Sequence, residues 1–449
     1  MAGLIISVSG LRGIIGQDLT PELAARFARA YAAGQPSGPL VLTRDGRASG
    51  RMLVDAIRGT LLAVGRCVLD ADVAATPTVG VLIRQRNAAG GIQVSASHNP
   101  PDYNGIKLFT DTGQVLSAEE GEAVIDRFHQ DRADWVTYRN IGQAERLQDT
   151  LSHHVALVLA TIDRAAIAAR KFRVLLDSNH GAGSPLGRRI LGDLGCESTL
   201  LGGEPDGQFA HPPEPTAENL SSISEEVVAV GADVGFCQDP DADRLALIDE
   251  NGCYVGEEYT VAICLDQVLR QRRGPVVTNC STSRMSEDLA ARYGVPFFRS
   301  PVGEANVVRV MRRHEAIFGG EGNGGPIDPR VGYVRDSFVA MAWVLHAMAT
   351  RQVPVSRLAA ALPRYAICKT KARVERASIA AVLDALEKHF ATATSDRMDG
   401  LRLDWPGKWL LVRGSNTEPI LRIVAEAETS AESRSLCEEA ASVCTSHCT

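Results

Sequence analysis

The sequence predicts an α/β protein with several domains, and three observations support this. Strand-like and helix-like runs alternate from residue 39 to about residue 361, as expected for stacked α/β layers. From about Leu362 the pattern changes to that of a small α+β domain, with a hairpin around Pro406 and Gly407. A chain of 449 residues is too long for one hydrophobic core, so its length alone favours roughly three domains.

The first α/β unit is predicted from helical periodicity and short buried runs. A strand over 39–43 leads into a loop over 44–50, and a helix over 50–64 follows because its apolar residues recur in helical register. Two further strands are predicted at 91–94 and from residue 106.

The next two units repeat this alternation. For the second, we predict a helical stretch over 145–168, a strand over 172–177 and a helix over 184–194. For the third, the predicted elements in order are a helix at 257–269, a strand at 275–280, a helix at 285–293, a strand at 316–318 and a helix at 335–349. The last unit is expected to have strands at 369–374, 401–404, 409–412 and 420–427, with helices at 376–391 and at the end.

Composition excludes several classes of protein. The chain is 45% hydrophobic with a net charge of −7 and has no basic stripe, so nucleic acid is not an expected partner. No apolar run approaches the ~18 residues of a membrane span, and the first residues lack a basic signal-peptide region. Ten scattered cysteines without a CxxC pair favour a reduced, cytoplasmic location.

The most informative segment runs from Asp239 to Arg244. Asp239, Asp241 and Asp243 alternate within a short loop between two apolar β-type runs, so their carboxylates are expected to converge. Hard cations such as Mg²⁺ prefer oxygen ligands, and a bound cation would relieve the mutual repulsion of three anions. Arg244 could partner an anionic substrate. The alternative interpretation is an exposed acidic turn.

A second segment places a serine in a rigid loop after a buried strand. Ser97 is followed by His98, Asn99 and two prolines that restrict the backbone. A hydroxyl held there could act as a nucleophile or carry a phosphate, provided that a metal or a base activates it. Lys107, at the start of the next predicted strand, could act as a general acid or base or as a charge clamp. A simple serine turn and a solvated surface lysine are the alternatives.

Three further segments are candidates for substrate binding. Gly319 to Gly325 contains five glycines around Glu321 and Asn323, which could bind vicinal sugar hydroxyls; the alternative is a flexible turn. A segment from residue 413 to 419 offers the donors that suit a phosphate monoester, although it could also be an ordinary hairpin turn. Its candidate ligands, with one later arginine, are Arg413, Ser415, Asn416, Thr417 and Arg422. Arg12, in a glycine-punctuated loop, could reach a phosphate.

Taken together and in this order, these segments resemble the α-D-phosphohexomutase superfamily. The loops that carry the resemblance are 95–100 (phosphoserine loop), 239–244 (metal loop), 320–325 (sugar loop) and 413–419 (phosphate loop). The resemblance implies three related α/β/α domains with mixed sheets and a C-terminal α+β domain like the TATA-binding protein, all around one central cleft. The expected domains are 1–150, 151–253, 254–364 and 365–449.

The resemblance also implies a reaction, the interconversion of hexose 6-phosphate and hexose 1-phosphate. Phosphorylated Ser97 would pass its phosphoryl group to the substrate, giving a hexose 1,6-bisphosphate that reorients and returns its other phosphate; added bisphosphate would act as an activator. Mg²⁺ would be held by Asp239, Asp241, Asp243 and a phosphoserine oxygen. Lys107, His98, Arg12 and Arg244 would assist the transfer, and the chain would work as a monomer or homodimer.

The sugar loop departs from the pattern found in much of the superfamily. That pattern reads Gly-Glu-x-Ser-Gly-His, whereas this chain has Asn323 in the Ser position and Gly325 in the His position. With the later Arg335-Asp336-Ser337, the loop is more similar to a branch assigned as phosphoglucosamine mutases. Glucosamine phosphate is therefore the expected substrate. The alternatives are phosphoglucomutase or phosphomannomutase activity, a sugar-bisphosphate synthase and a non-catalytic phosphosugar-binding protein.

Overall fold

The computed structural model describes residues 3–8, 10–415 and 420–446. Its first layer is a mixed sheet whose strands are β1 (Ile5–Ser7), β2 (Gly10–Ile14), β3 (Leu40–Arg44), β4 (Val68–Val73), β5 (Gly90–Val94), β6 (Tyr103–Phe109) and β7 (Ala144–Arg146). The spatial order is β1-β2-β6-β5-β3-β4-β7. The helices are α1 (Pro21–Ala32), α2 (Gly50–Ala63), α3 (Thr76–Arg86) and α4 (Ala118–Gln130). Lys107 lies in the middle of β6, because this strand begins at Tyr103 rather than at residue 106.

The second sheet is mixed and has four strands. They are β8 (Arg173–Asp177), β9 (Glu197–Leu201), β10 (Val234–Gln238) and β11 (Leu245–Ile248), in the order β11-β10-β8-β9. The accompanying helices are α5 (Ser152–Leu159), α6 (Arg164–Ala168), α7 (Ser184–Asp193) and α8 (Ser221–Ala229). The helix predicted over 145–168 is wrong at its start, because residues 144–146 pair in parallel with β4.

The third sheet repeats the mixed arrangement. Its strands β12 (Val276–Asn279), β13 (Phe297–Ser300), β14 (Phe318–Glu321) and β15 (Gly325–Ile327) have the order β13-β12-β14-β15. Five helices follow the chain: α9 (Glu257–Gln271), α10 (Met285–Arg292), α11 (Glu304–Arg313), α12 (Ser337–Arg351) and α13 (Val355–Ala360). The helix predicted from residue 335 begins at Ser337, because the Asp336 side chain caps it by accepting the N–H groups of Phe338 and Val339. Arg335 therefore precedes the helix.

The fourth sheet is entirely antiparallel. It contains β16 (Ala366–Arg373), β17 (Thr394–Asp396), β18 (Leu401–Trp405), β19 (Lys408–Gly414) and β20 (Ile420–Ala427), in the order β16-β20-β19-β18-β17. Two helices, α14 (Ile379–His389) and α15 (Ser430–Ser446), accompany it. This is the α+β arrangement, like the TATA-binding protein, that was predicted for the C-terminal domain.

The hydrophobic cores are shared unequally among the four layers. One large apolar core contains β8, β10, α9 and α12, with Trp343 fully buried, so the second and third layers are packed as one body. The fourth layer has its own core and meets the third through a small cluster of Cys280, Trp409 and Leu411. In the described part of the chain, no helix is long and apolar enough to cross a membrane.

Candidate active site

The aspartate loop is the connection of an antiparallel hairpin. β10 and β11 pair as far as Gln238 and Leu245, which leaves residues 239–244 as the loop. Asp239 Oδ1 accepts the backbone N–H groups of Asp243 and Arg244, both at 3.1 Å, and Ala242 has φ = +56°. A left-handed non-glycine residue is costly, and such conformations are concentrated at functional sites. The tight turn brings all three carboxylates together.

These carboxylates fit a divalent cation. Asp239, Asp241 and Asp243 are fully buried, and each offers an oxygen within 4.8 Å of the others. Within the described part of the chain, Oδ1 of Asp241 and Oδ1 of Asp243 are buried without a hydrogen-bond partner. Burial raises the pKa of Asp239 well above its usual range, and the neighbouring charges of Asp241 and Asp243 raise it further. These two buried Oδ1 oxygens and the adjacent Asp239 carboxyl form an oxygen donor set that suits Mg²⁺.

Ser97 lies against this cluster. It is 2% exposed and has φ = +51°, and its Oγ donates to Asp239 Oδ2 at 2.9 Å. Its backbone N–H donates to Ser95 Oγ, which in turn donates to Asp45 Oδ2 at 2.7 Å. The hydroxyl is thus held in an exceptional conformation beside the candidate metal site.

Arg47 holds the loop that carries Ser97. Its buried guanidinium donates to the carbonyl oxygens of Ser97, Asn99, Pro100 and Tyr103 over 2.5–2.9 Å, and its Nε pairs with Asp45. Charged donors make stronger hydrogen bonds than neutral ones, so this one side chain fixes the serine loop in place. The sequence analysis placed residues 44–50 in a loop but did not predict this role.

Lys107 faces the aspartates from β6. Its Nζ pairs with Asp241 Oδ2 and, at 3.1 Å, with Asp243 Oδ2. Burial alone would lower the pKa of Lys107, but the charges of Asp241 and Asp243 raise it above its usual value. Burial likewise would raise the pKa of Asp241, yet the Lys107 charge brings it well below its usual range. The charges of Asp241 and Asp243 therefore favour the protonated form of Lys107 in this arrangement.

The remaining predicted catalytic residues surround Ser97. His98 Nδ1 lies 3.3 Å from Ser97 Oγ, and burial followed by the nearby Arg244 and Arg12 lowers the pKa of His98 to about 2. The imidazole is thus neutral at physiological pH. Arg12 Nη1 donates to Asn99 Oδ1 at 3.3 Å, and Arg244 Nε lies 3.8 Å from Asp243 Oδ1. Arg12 thus contacts the serine loop, and Arg244 lies on the aspartate loop.

Glu321, at the end of β14, is already held by protein donors. Its Oε1 accepts Asn279 Nδ2 at 2.7 Å and the Gly303 N–H at 3.0 Å, and its Oε2 pairs with Arg335 Nη1 at 3.0 Å. Asn323 Oδ1 is buried and has no hydrogen-bond partner among the described residues. Glu321 and Asn323 line the same cleft, so this loop presents acceptors toward it.

This cleft, of about 680 Å³, lies between the third and fourth layers. Its other wall carries Lys369 and Lys371 from β16, Arg413 from β19 and Arg422 from β20. Lys371 and Arg413 are each the register partner of Arg422 on the neighbouring strand. Arg413 is paired with Asp399 at 3.1 Å. Lys371 and Arg422 remain directly opposite each other as like charges, which destabilises a sheet and favours an anionic ligand at this wall. The Ser415 N–H donates to the Ile420 carbonyl at 2.9 Å, whereas Asn416 and Thr417 lie outside the described residues.

Comparison with known proteins agrees with these features. Four successive segments match the domains of one family: "Phosphoglucomutase/phosphomannomutase, alpha/beta/alpha" domain I over 4–134, domain II over 152–252 and domain III over 256–365, and the C-terminal domain over 370–443. The chain belongs to the phosphoglucomutase/phosphomannomutase family. Its members are mutases, that is, intramolecular phosphotransferases, and the predicted resemblance to the phosphohexomutases is confirmed.

Curated relatives and a solved structure span nearly the whole chain. A "Phosphoglucomutase/phosphomannomutase" from Thermococcus kodakarensis is 37% identical, covering 97% of both chains. A "Probable phosphoglucosamine mutase" from Methanopyrus kandleri is 31% identical, also over 97% of both. The X-ray structure of a family protein from Burkholderia thailandensis is 25% identical with a TM-score of 0.86, covering 99% of this chain and 97% of the other.

Within this phosphohexomutase fold, sequence reasoning missed three side chains near the predicted loops. Arg47 grips the serine loop, Lys371 extends the row of cations and Arg335 pairs with both Glu321 and Asp243. The placement of Lys371 and Arg413 on either side of Arg422 follows from the strand register, which the sequence does not provide. The sequence analysis used Arg335 only as part of a family pattern and predicted no contact for its side chain.

Proposed function

We propose that this mutase interconverts glucosamine 6-phosphate and glucosamine 1-phosphate through phosphorylated Ser97 and a 1,6-bisphosphate intermediate. The observation that carries the proposal is Ser97 Oγ at 2.9 Å from Asp239, inside a buried cluster of three aspartates. A hydroxyl beside such a cluster is suited to exchange a phosphoryl group, because that reaction depends mainly on positioning and on neutralising charge.

The residues divide the work as follows. Asp239, Asp241 and Asp243, with a phosphoserine oxygen, would hold Mg²⁺, which supplies positive charge at the phosphoryl oxygens. Lys107 stays protonated, and its ammonium adds a second positive charge next to Asp241 and Asp243. During transfer the Ser97 Oγ–phosphorus bond breaks and a bond from phosphorus to the sugar hydroxyl oxygen forms. The sugar hydroxyl loses its proton as its oxygen bonds to phosphorus, and the Ser97 oxygen gains a proton, so that the Ser97 hydroxyl again donates to Asp239 Oδ2.

The cleft supports a phosphosugar as substrate. Arg413, Arg422 and Lys371 would grip the phosphate that is not reacting, and Asn416 and Thr417 are proposed to join them. Glu321 and Asn323 would accept sugar hydroxyls at the opposite wall. Binding energy from the remote phosphate then orients the reacting end.

The opposite wall of the cleft favours an amino sugar. Glu258 lines it together with Glu321, and burial raises the pKa of Glu258 to about 8. A substrate ammonium beside Glu258 would favour its ionised form and gain an ion pair. Glucose or mannose phosphate is the second candidate, since the 37% identical relative is named for those activities.

The experiment is a comparison of substrates. Purified protein with Mg²⁺ and a trace of the matching 1,6-bisphosphate is assayed on glucosamine 6-, glucose 6- and mannose 6-phosphate. We expect kcat/KM for the glucosamine compound to be at least about tenfold higher, or ~1.4 kcal/mol of transition-state preference. An equal or higher kcat/KM for the glucose or mannose compound would indicate that this sugar phosphate, the second candidate, is the substrate. Free bisphosphate as the main product would indicate a synthase, and no turnover would leave only phosphosugar binding.

A further inference from the structure

Gly325, the residue in place of the superfamily histidine, has no room for a side chain. A Cβ atom built there would lie 2.6 Å from Cδ of Arg335 and 2.9 Å from its Cβ and Cγ. Such distances are well inside van der Waals contact, and the obstacle includes the part of Arg335 nearest its backbone. Glycine at 325 and arginine at 335 are therefore a matched pair.

Arg335 uses this space to reach three acidic side chains. Its Nη2 lies 2.7 Å from Asp243 Oδ2, its Nη1 3.0 Å from Glu321 Oε2 and its Nε 2.9 Å from Glu304 Oε2. The side chain is 11% exposed. Asp243 belongs to the proposed metal loop and Glu321 to the proposed sugar loop. One rigid guanidinium thus sets the position of one loop relative to the other.

The residues after Arg335 strengthen this connection. Ser337 Oγ donates to the carbonyl of Ala242 at 2.7 Å, inside the aspartate loop. Asp336 Oδ2 lies 2.8 Å from His154 Nε2 while Oδ1 caps α12. These contacts fix the backbone directly after Arg335, so its side chain extends from a well-defined point.

We propose that Arg335 is a positioning residue of the reaction and that it makes glycine at 325 obligatory, because it fills the space that a side chain there would need. It fixes the position of Asp243 relative to Glu321. A sugar hydrogen-bonded to Glu321 then lies within reach of the phosphoryl group beside Asp243. This inference rests on the proposed mutase function. Wild-type turnover is therefore measured first, since its failure would count against that function and not against Arg335.

A double-mutant cycle tests the pair. Arg335→Gly should lower kcat/KM at least about a hundredfold, with kcat falling, because misplaced reacting groups slow the chemical step. Gly325→Ala should lower kcat/KM at least about tenfold in the wild-type background and less than about twofold in Arg335→Gly, since residues in contact are not additive. Additive effects, or full activity of Arg335→Gly, would overturn the proposal.

Two readouts separate positioning from a purely structural role. Removing the positive charge beside Asp243 should lower the Mg²⁺ concentration that gives half-maximal activity, since a like charge disfavours a cation. A purely structural role would lower the unfolding temperature and leave this concentration unchanged. If Arg335→Gly does not fold, Arg335→Lys is measured in its place. This variant keeps the positive charge, but one ammonium cannot contact three carboxylates, so kcat should fall. A wild-type kcat for Arg335→Lys would contradict the proposal.

Two further variants complete the design. The double variant Gly325→His with Arg335→Gly should have a kcat/KM at least about tenfold higher than Gly325→His alone, because the imidazole then has room. No recovery would overturn the claim that the two side chains compete for the same space. Arg330→Gly is the matched control. Arg330 precedes α12 and also has an ion pair, with Asp328, but it lies over Trp343 and not in the cleft. It should keep wild-type kcat and the wild-type Mg²⁺ requirement, and loss of either would overturn the argument from position.

Discussion

At the residue scale, Ser97 combines a left-handed backbone, near-complete burial and a hydrogen bond to Asp239. Arg47 and the Ser95–Asp45 pair hold it there from the protein side. The conformation costs free energy, of order 1–3 kcal/mol for such a residue. The surrounding hydrogen bonds offset that cost, and they depend on the backbone of the loop rather than on the Ser97 hydroxyl.

Ser97→Ala should therefore abolish turnover without unfolding the protein. We expect kcat to fall at least about a thousandfold, or ~4 kcal/mol of barrier, because no atom remains to carry the phosphoryl group. The measurements are steady-state turnover and thermal unfolding, with Ser49→Ala as a control, since Ser49 accepts a bond from Asn104 away from the aspartates. Retention of more than a few per cent of activity would exclude the phosphoserine role.

A second residue-scale prediction concerns protons and Mg²⁺. Burial and the charges of Asp241 and Asp243 raise the pKa of Asp239, so a proton competes with a metal for that oxygen. As pH falls through the raised pKa, Mg²⁺ affinity should fall. Calorimetry in buffers of different ionisation enthalpy should show proton release on Mg²⁺ binding, and Asp239→Asn should release fewer protons. Equal release by both proteins would contradict this.

At the element scale, strand register explains the basic wall of the cleft. The partners Lys371, Arg422 and Arg413 occupy one row across β16, β20 and β19. Neighbouring like charges in a sheet cost roughly 0.2–1 kcal/mol per pair. A phosphate bound over the row would convert this repulsion into binding energy.

Lys371→Gln should thus have opposite effects on stability and on binding. Without ligand, the unfolding temperature should stay the same or rise slightly, because one repulsion is removed. With phosphosugar, KM should rise about tenfold to a hundredfold, equivalent to one charged hydrogen bond of roughly 1.5–3 kcal/mol. Lys408→Gln serves as the control, because Lys408 pairs with Glu432 at the surface. An unchanged KM for Lys371→Gln would exclude Lys371 from the phosphate site.

At the scale of the whole molecule, the candidate metal site joins two layers of the fold. Ser97 and Lys107 come from the first sheet, whereas the three aspartates come from the second. Thr76, at the start of α3, adds a hydrogen bond to Asp241. A cation bound to the aspartates would therefore stabilise one side of the boundary between these layers.

Mg²⁺ should consequently stabilise the folded chain. Saturation at about a hundred times Kd corresponds to ~2.7 kcal/mol, provided that the unfolded chain does not bind. Thermal unfolding with Mg²⁺ and with a chelator should show a higher midpoint with the metal. Asp241→Asn should remove most of the difference, and an equal Mg²⁺ effect in both proteins would contradict a metal site at Asp241.

The fourth layer carries the cationic wall of the cleft. Its contact with the third layer consists of a small apolar cluster and a few polar pairs, such as Arg299 with Asp404. Such a contact permits the wall that carries the cations to approach the acidic wall when substrate binds. Closure of this kind would exclude water from a phosphoenzyme.

The sequence by itself determined the α/β class, the C-terminal α+β unit and the order of the four loops. It did so because loop chemistry and hydrophobic periodicity are local properties of the chain. The meeting of Ser97 with the aspartates followed only from the family resemblance, since 142 residues separate Ser97 from Asp239.

Only the tertiary structure decided what holds these loops in place. Arg47 binds carbonyls about fifty residues away, and Arg335 joins two loops from a segment predicted to be helical. The same packing explains Gly325. In the sequence this residue is notable only because the superfamily histidine is absent, whereas in the structure it leaves room for the Arg335 side chain. Contacts of this kind depend on side-chain directions and on the space between layers, and neither is encoded in the pattern of neighbouring residues.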